Sequence, residues 1–377
     1  MEKNRIKLAI LESKYYGAVT SVNDLVVRLD KERFDVTFLY LSGDPGRENH
    51  LQQAGYKVCY LSRSERMPVF RPDVLVKLIR FLRRNQIDLL HCHAHKAALY
   101  GAIAGKFLPQ MKIIAHVHGL GRSARLRRKL SNFLFAGRID RFLAVSQAVK
   151  QDLLDSNWRI PASKVTVLEN SVDYERFAGA AAGRNSVRQM FGVPQDAFVF
   201  GFVGRFAPTK GVPYLLDAFA EVKKEFSNAY LLLAGQGPDE QRYSQQIQNL
   251  GLQKTVCFAG YQKEIEKFFG SLDVFVIPSV AEGMPRVLLE AMAAGIPCIG
   301  TSVGGIPDVI DGAVGFVVAP RSSKALAEAM KWMLQKNPDE LFQMRTAAAQ
   351  KARTRYAHAV LSEQLYAIYC DVLGIKD

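Results

Sequence analysis

The alternation of short apolar runs with longer amphipathic stretches constrains the fold of this chain more than any other feature of its sequence. Runs of four to seven residues rich in Val, Ile, Leu and Phe predict strands, and the stretches 74–84, 211–226 and 284–294 have the spacing of amphipathic helices. Because strand and helix patterns alternate, the sequence favours parallel sheets that are covered by helices on both faces.

Thirteen runs are predicted to be strands, which is too many for one open sheet, and 377 residues are enough for two domains. We therefore predict two doubly wound α/β domains. Ligands bind beyond the carboxyl ends of the strands in such sheets, so we expect two polar rims that face each other across a cleft. The predicted strands are 6–11, 35–41, 57–61, 88–93, 112–117, 141–145 and 164–168 in the first half, and 198–203, 229–234, 256–259, 273–277, 297–300 and 315–318 in the second.

The boundary between the domains is predicted near residues 177–185, where an Ala- and Gly-rich stretch interrupts both periodicities. We expect an N-terminal Rossmann-like domain over 1–178, a linker over 179–194 and a C-terminal Rossmann-like domain over 195–351. Residues 352–377 form a last segment, in which 352–373 is predicted to be one long helix.

Charge is distributed unevenly along the chain. Residues 1–180 hold 30 Lys and Arg against 17 Asp and Glu, so they account for +13 of the net charge of +14. The first half is therefore expected to meet an anionic partner, such as phosphate groups, a lipid surface or nucleic acid. Aromatic residues are not interleaved with the cations as in single-strand binders, and nucleic acid is not expected as a partner.

Two predicted helices of the first half concentrate this basic charge. One, over 122–135, has Arg125, Arg127, Arg128 and Lys129 opposite or beside an apolar face, and the other has a stripe formed by Lys77, Arg80 and Arg84. Such helices suit an anionic membrane surface, while an ordinary packed helix with a solvated basic face is the alternative.

The cellular compartment is predicted from the absence of a membrane span, a signal peptide and a disulfide framework in the sequence. No apolar run reaches the ~18 residues of a membrane span, and the first residues lack the apolar stretch of a signal peptide. The five cysteines are scattered, which argues against a disulfide framework or a cysteine-based zinc site. We expect a cytoplasmic protein with unpaired thiols.

The segment 203–211, Val-Gly-Arg-Phe-Ala-Pro-Thr-Lys-Gly, places Arg205 and Lys210 on a turn between a strand and a helix. An Arg fork, a Lys charge and a helix start suit a diphosphate, although a solvated turn is an equally good interpretation of the segment alone. The segment matches neither a Walker loop nor the Gly-x-Gly-x-x-Gly spacing, which disfavours a nicotinamide dehydrogenase.

Two carboxylates, Glu282 and Glu290, flank the start of another predicted helix. Glu282 is expected in the loop before the first turn, near the N–H groups of Gly283 and Met284, and Glu290 about two turns into the helix. Carboxylates accept hydrogen bonds from sugar or ribose hydroxyls, which favours a polyol ligand. The alternative is a capping Glu followed by a solvated Glu, but the helix is apolar nearly all round.

Five of the seven histidines lie in 91–95, His-Cys-His-Ala-His, and in 116–118, His-Val-His. His91, His93 and His95 would share one strand face at a period of two and could bind a metal. No carboxylate lies among them, and a polar active-site rim is the preferred interpretation, ahead of purely structural histidines and of a metal. No metal and no resident cofactor are predicted.

The ordered set of these motifs resembles the retaining glycosyltransferases of family 4, which have the GT-B fold. The resemblance covers nearly the whole chain and is strongest in the second half. The segments that match there are 203–211, 234–238, 258–261, 273–279, 282–297 and 303–307, and the looser ones of the first half are 88–93, 115–119, 145–146 and 169–173.

The resemblance implies a role for each matching residue. Arg205 and Lys210 would bind the donor diphosphate, and Glu282, with the backbone of Gly283 and Met284, would hold the donor sugar. Glu290 would bind the ribose hydroxyls. The remaining positions that the resemblance places around the donor are Gly17 at the diphosphate, His118 at the sugar, Gly235 in the turn after a strand, and Tyr261 beside the base.

Three positions depart from the family pattern. The first loop has one glycine, Gly17, where a pair is common; Ser171 stands where Gly is usual; and Asp308 stands where Glu is usual. None of these changes removes a charged site residue, so we expect an active enzyme. The resemblance also implies that residues 352–373 return to pack on the first domain.

The predicted function is metal-independent hexosyl transfer, with retention, from a UDP- or GDP-sugar to a glycan or lipid-linked acceptor. Synthesis of bacterial cell-surface polysaccharide or lipopolysaccharide is the expected context, with peripheral binding at the inner face of the cytoplasmic membrane. The alternatives are a sugar-nucleotide epimerase of similar fold and a non-catalytic basic protein that binds membrane surfaces.

Overall fold

Internal contacts divide the chain into two units, one formed by Met1–Glu169 with Leu361–Asp377 and the other by Asn170–Val360. The structure is a computed structural model, and it describes residues 5–15, 21–46, 49–64, 68, 70–121, 133–157, 159–180 and 184–375. Each unit contains one parallel β-sheet with helices, which confirms the predicted pair of doubly wound α/β domains.

The first unit has a seven-stranded sheet in the order β3-β2-β1-β4-β5-β6-β7. Every neighbouring pair is parallel, for example Ile10 opposite His91 in β1 and β4. The centre of β1 is fully buried because helices cover both faces of a parallel sheet. The strands are β1 (Ile6–Lys14), β2 (Phe34–Ser42), β3 (Lys57–Tyr60), β4 (Leu89–His93), β5 (Lys112–Val117), β6 (Arg141–Ala144) and β7 (Val165–Val167).

The helices of the first unit include one with a clear division into an apolar and a basic face. In α3, Val74, Leu78 and Leu82 recur every four residues and are buried, and the basic stripe of Lys77, Arg80 and Arg84 is exposed. The helices described before the final segment are α1 (Ser21–Val26), α2 (His50–Gln53), α3 (Pro72–Arg84), α4 (Ala94–Gly105) and α5 (Gln147–Ser156).

The second unit has a six-stranded parallel sheet in the order β10-β9-β8-β11-β12-β13. The order reverses between β8 and β11, because β8 connects to β9 on one side and β11 connects to β12 on the other. A crevice forms at the carboxyl ends of strands where the order reverses in this way. The strands are β8 (Phe198–Val203), β9 (Ala229–Ala234), β10 (Val256–Gly260), β11 (Val274–Ile277), β12 (Cys298–Thr301) and β13 (Gly315–Val318).

Helices and an apolar core cover this second sheet. Phe200, Phe202, Phe219 and Leu233 belong to one fully buried cluster that joins the sheet to its helices. The helices are α6 (Tyr174–Phe177), α7 (Arg184–Met190), α8 (Val212–Lys223), α9 (Glu240–Asn249), α10 (Ile265–Gly270), α11 (Arg286–Ala293), α12 (Ile306–Val309), α13 (Ser323–Leu334) and α14 (Pro338–Lys351).

A buried carboxylate, Asp273, ties the start of β11 to three other segments of the second unit. Its oxygens accept hydrogen bonds from Arg188 at 2.7 Å, Arg184 at 2.6 Å, Arg345 at 3.1 Å and the Val199 N–H at 2.8 Å. The Arg188 side chain is fully buried. Loss of this carboxylate would therefore leave a buried guanidinium without its counter-charge, which is costly.

The last segment of the chain corrects the prediction of one long helix over 352–373. Residues Ala352–Tyr356 form a π-helical turn, Ala357 is extended and pairs with Val172, and a new helix, α15 (His358–Leu373), then begins. The Val172 N–H donates to the Tyr356 carbonyl at 2.8 Å, and the His358 N–H donates to the Val172 carbonyl at 3.0 Å. These pairings with a distant segment interrupt the helix.

From Leu361 onward α15 belongs to the first unit. Tyr366 and Tyr369 lie against Phe34 of β2, with ring centroids about 6 Å apart. Among the described residues no helix is long and apolar enough to cross a bilayer. All five cysteines are unpaired, and Cys92, Cys298 and Cys370 are buried.

Candidate active site

Two loops of the second unit meet at the point where the strand order of its sheet reverses. One follows β8 and the other follows β11, and they are joined by the Thr209 carbonyl, which accepts hydrogen bonds from Val280 N–H at 2.8 Å and Ala281 N–H at 3.3 Å. The Thr301 hydroxyl of β12 donates to the Ser279 carbonyl at 2.5 Å and fixes the second loop. The residues predicted from these two loops therefore lie side by side.

Gly211 allows the loop after β8 to approach the loop after β11 this closely. Its φ is +68°, and a Cβ atom there would lie 2.0 Å from the Pro278 carbonyl oxygen. A short turn, Pro208–Lys210, precedes it, and α8 begins at Val212. A side chain at position 211 would push the two loops apart, so the sequence needs glycine here.

Lys210 and Glu282 are in direct contact, which the sequence did not reveal. The Lys210 Nζ lies 2.5 Å from Glu282 Oε1, and the Ser279 hydroxyl donates to the same oxygen at 2.9 Å. The side chains of Lys210 and Glu282 are 24% and 12% exposed. Within the described part of the chain no hydrogen bond ends on Oε2 of Glu282, so this oxygen can accept one from a ligand hydroxyl.

Arg205 differs from Lys210 in the contacts of its side chain. Its side chain is exposed, and among the described residues it makes no ion pair or hydrogen bond. A guanidinium offers five N–H donors in a planar fork that fits phosphate oxygens. Of the two cations predicted at this turn, Lys210 is therefore paired with a carboxylate, and Arg205 has no ion pair among the described residues.

The segment from Glu282 to Met284 is held through its carbonyl groups. Gly305 N–H donates to the Gly283 carbonyl at 2.6 Å, and the Asn170 side-chain amide donates to the Met284 carbonyl at 2.7 Å. Gly304 has a φ of +56°, and a Cβ there would lie 2.3 Å from the Glu282 carbonyl oxygen. Within the described chain the Met284 N–H makes no hydrogen bond, and its role toward a ligand stays a prediction.

Glu290 is the fifth residue of α11 and is partly buried. The helix begins at Arg286 rather than near Met284, so Glu290 lies little more than one turn in, and the predicted two turns were wrong. The expectation that Glu290 and Glu282 need not touch stays a prediction.

Gly235 lies where three loop segments of the second unit pack backbone against backbone. Its φ is +137°, and a Cβ there would lie 1.9 Å from the Gly204 carbonyl oxygen. The Gly235 N–H donates to the Gly260 carbonyl at 2.8 Å, which brings the turn after β10 alongside. Tyr261 follows Gly260 and is 73% exposed, so its ring is available to a ligand.

In the first unit, His118 follows the end of β5, and its Nε2 lies 3.3 Å from Nδ1 of His93. The structure corrects the predicted histidine set, because β4 ends at His93 and Ala94, with a φ of +63°, turns the chain into α4. His95 therefore belongs to a helix, and His116 of β5 takes the third place beside His91 and His93.

Several predicted residues lie outside the described part of the chain. Gly17 is one of them, and so are Arg125, Arg127, Arg128 and Lys129 of the predicted basic helix. Their proposed contacts with a diphosphate and a lipid surface stay predictions.

Sequence reasoning missed the residues that hold the site together. Ser279 supports Glu282, and Asn170 supports Met284 from 114 positions away. The spacing of Ser279 three residues before Glu282, directly after a buried strand, is a signal that could have identified it. Asn170 has no such local signal, because only the fold brings it to Met284.

Comparison with known families gives two matches that follow each other along the chain. The family model described as Glycosyltransferase Family 4 matches residues 15–176, and the model described as Glycosyl transferases group 1 matches residues 184–355. Together they span most of the sequence, and they meet at residues 176–184, shortly after the second unit begins at Asn170.

Three curated proteins with similar sequences are glycosyltransferases by name. One of them is UDP-Gal:alpha-D-GlcNAc-diphosphoundecaprenol alpha-1,3-galactosyltransferase of Escherichia coli, which is 26% identical over 61% of this chain. The match spans 62% of that protein, which is less than two thirds of its length. CapM of Staphylococcus aureus, a capsular polysaccharide biosynthesis glycosyltransferase, is 26% identical over 90% of this chain and 91% of its own. Phosphatidyl-myo-inositol mannosyltransferase of Mycobacterium leprae is 29% identical over 80% of this chain and 78% of its own.

Solved structures with a similar fold include Anabaena Alr3699/HepE in complex with UDP. That structure has a TM-score of 0.84 and 22% identity, and the match covers 97% of this chain and 100% of that one. The lipopolysaccharide outer core galactosyltransferase WaaB in its apo form has a TM-score of 0.78 and 18% identity, with 97% and 100% covered. At these identities the likeness concerns the fold, which is that of GT-B glycosyltransferases.

Proposed function

The chain belongs to glycosyltransferase family 4, and from this membership we propose that it transfers a sugar from a nucleotide-diphosphate donor to a glycan or lipid-linked acceptor, with retention and without a metal. The observation that carries the proposal is the Lys210–Glu282 pair at the point where the strand order of the second sheet reverses, with Arg205, which makes no ion pair among the described residues, on the same turn as Lys210.

The charges of this site suit the bond that has to break. Cleavage between the anomeric carbon and the diphosphate leaves negative charge on the departing phosphate, and Arg205 and Lys210 stabilise that charge. Because Arg205 has no partner among the described residues, it can bind phosphate without first breaking an ion pair. Lys210 is fixed by Glu282, so its cation is already in place when the charge develops.

Glu282 is proposed to bind the hydroxyls of the donor sugar. Its Oε1 is engaged by Lys210 and Ser279, and its Oε2 is the acceptor that remains. Glu290 is proposed to bind the ribose hydroxyls and Tyr261 to border the base. Gly17 and His118 of the first unit keep the roles that the family resemblance implies, at the diphosphate and the sugar. UDP- and GDP-sugars are the proposed donors.

The acceptor is proposed to be attached to a lipid, in cell-surface polysaccharide or lipopolysaccharide synthesis at the inner face of the cytoplasmic membrane. Two relatives act, by their names, on a diphosphoundecaprenol and on a phosphatidyl-inositol compound. The first unit holds most of the net positive charge, and the basic stripe of α3 is exposed. Each cation close to an anionic membrane adds roughly 1 kcal/mol of binding, which is lost as salt screens the surface.

A transfer assay tests the proposed reaction. Purified protein is given UDP- and GDP-sugars with and without membrane extract as the source of acceptor, and released nucleoside diphosphate and sugar-labelled product are both measured. Release that requires the acceptor is the expected result. Conversion of the donor without an acceptor would indicate an epimerase, and binding to membranes without any turnover would indicate a non-catalytic surface protein; either result overturns the proposal.

Vesicle sedimentation tests the proposed surface. Binding to vesicles with anionic lipid is expected to exceed binding to neutral vesicles, to fall at high salt, and to fall when the basic stripe of α3 is changed to glutamine. A matched control changes three exposed cations of the second unit, Lys254, Lys263 and Lys324. Equal binding to neutral and anionic vesicles, or an equal loss in the control, would contradict the proposed surface.

A further inference from the structure

Three histidines of the first unit form a buried cluster that the proposed transfer reaction does not use. His91 and His93 are on one face of β4, and His116 of β5 lies opposite His93 in the sheet. Their ring centroids are 4.6 Å apart for His91 and His93, and each is 5.5 Å from His116. None of the three is more than 4% exposed.

The nitrogen atoms of this cluster are incompletely hydrogen-bonded. His91 Nδ1 is 2.7 Å from the Tyr369 hydroxyl, and His93 Nδ1 is 3.3 Å from Nε2 of His118. Within the described chain, Nε2 of His91, Nε2 of His93 and both nitrogens of His116 have no partner. A neutral imidazole always has one N–H, so at least one buried N–H of His116 would lack a hydrogen bond, which typically costs 1–3 kcal/mol.

We propose that His91, His93 and His116 bind one divalent ion of the zinc class. One nitrogen of each ring lies within 4.8 Å of the others. Three nitrogen ligands of a tetrahedral zinc ion are about 3.4 Å apart, since each Zn–N distance is roughly 2.1 Å, so small side-chain rotations bring them to the ion. Imidazole nitrogens suit zinc and related metals, whereas magnesium and calcium prefer oxygen.

The three rings are buried, and neighbouring side chains hold two of them. Burial lowers the pKa of His91 to about 3 and lowers the pKa values of His93 and His116 well below the usual 6.5, so the rings are neutral at physiological pH. Metal ligands need this neutral form. The Tyr369 hydroxyl and His118 contact the Nδ1 atoms of His91 and His93, so Nε2 of each ring is the nitrogen left for an ion, and the contacts at Nδ1 would act as outer-sphere partners.

Three nitrogen ligands leave the fourth position of a tetrahedral zinc ion for a water molecule. Cys92 is directed away from the cluster against Gly101 of α4, where a Cβ would lie 2.5 Å from its Sγ, so the thiol is not a fourth ligand.

The ion would have a structural role. It would join β4 to β5, reach α15 through Tyr369, and hold the ring of His118 through His93. The inference goes beyond the proposed function, because the transfer chemistry proposed above relies on Arg205 and Lys210 and does not involve this ion.

Metal analysis of protein purified without a polyhistidine tag tests the proposal. Zinc at about one ion per chain is expected by mass spectrometry, and cobalt substituted for zinc is expected to give the visible ligand-field absorption of a tetrahedral site. His116→Gln removes one ligand without breaking a described hydrogen bond, so we expect at least a 10- to 100-fold loss of zinc affinity, the range measured when only an outer-sphere partner is removed. The matched control is His50→Gln, because His50 contacts Tyr15 and lies outside the cluster.

The wild-type measurements remain decisive if His116→Gln fails to fold. Absence of zinc, together with no visible absorption when cobalt is titrated into chelator-treated protein, would overturn the proposal and leave buried water as the partner of these nitrogens. Retention of zinc by a folded His116→Gln protein would also overturn it. These experiments measure metal binding and not transfer activity. Their outcome therefore does not depend on whether the proposed function is correct.

Discussion

Replacement of Glu282 by glutamine separates the two tasks that are proposed for the site, which are binding of the donor sugar and binding of the diphosphate. The amide oxygen can still accept hydrogen bonds from Lys210 and Ser279, so the local structure is expected to persist. Because both side chains are largely buried, loss of the charge is expected to lower the free energy of unfolding by up to about 1.5–3 kcal/mol, the contribution of a hydrogen bond to a charged group. The other oxygen becomes an NH₂ group, which donates where the carboxylate accepted.

The expected effect is on turnover. A hydrogen bond from a sugar hydroxyl to a carboxylate contributes about 1.5–3 kcal/mol, so its loss in the transition state corresponds to a decrease of roughly 10- to 150-fold in kcat. Affinity for the free nucleoside diphosphate is expected to stay constant or to rise, because the carboxylate no longer neutralises the Lys210 ammonium.

Turnover at saturating donor and calorimetric binding of the nucleoside diphosphate measure the two effects. Glu221→Gln is the matched control, since Glu221 pairs with Lys224 on an exposed surface of the same unit. A kcat within twofold of wild type would refute the role of Glu282 at the sugar. A parallel loss of diphosphate affinity would instead place Glu282 at the phosphates.

Four further substitutions test other parts of the structure. Arg205→Ala and Lys210→Ala are each expected to lower turnover on the order of 10²-fold with the fold intact, and wild-type rates at saturating donor would contradict the diphosphate assignment. Gly304→Ala is expected to lower both Tm and transfer activity because of the contact with the Glu282 carbonyl, and calorimetry that finds an unchanged Tm would show that the loop can adapt. Asp273→Ala is expected to cost about 3–5 kcal/mol in urea unfolding because the three arginines described above lose their shared carboxylate, and a cost below about 1 kcal/mol would contradict its anchoring role.

Hydrophobic periodicity was sufficient to predict the strands of both sheets. Each predicted strand has a counterpart, and 112–117, 198–203, 229–234 and 315–318 have the same bounds in the structure. These strands are short apolar runs whose ends coincide with turn residues, so local pattern and tertiary packing agree. Sheet order could not be predicted in this way, because it depends on which strands pair across the chain.

The final helix shows where local pattern fails. Residues 352–373 are compatible with one helix, yet Ala357 leaves helical geometry to pair with Val172. That pairing links positions far apart in sequence, and no local propensity indicates it. Tertiary context decided the outcome, as it often does where propensities are weak.

The sequence predicted individual candidate residues of the site, but it did not predict which of them are in contact. The charged residues after β8 and β11 could be identified because polar residues at strand ends are informative in parallel sheets. The Lys210–Glu282 pair, separated by 72 positions, could not be predicted, because it requires knowledge that β8 and β11 are neighbours. His116 was missed as a partner of His91 and His93 for the same reason.

The central claim is that the second unit binds the diphosphate of a nucleotide sugar through Arg205 and Lys210. The most direct measurement is a thermal-shift panel of UDP- and GDP-sugars on wild-type protein and on the Arg205→Ala variant, without added divalent cations. At least one donor is expected to raise the Tm of wild-type protein, and the rise is expected to shrink strongly in Arg205→Ala. Absence of stabilisation by every donor, or an equal rise in the variant, would contradict the claim.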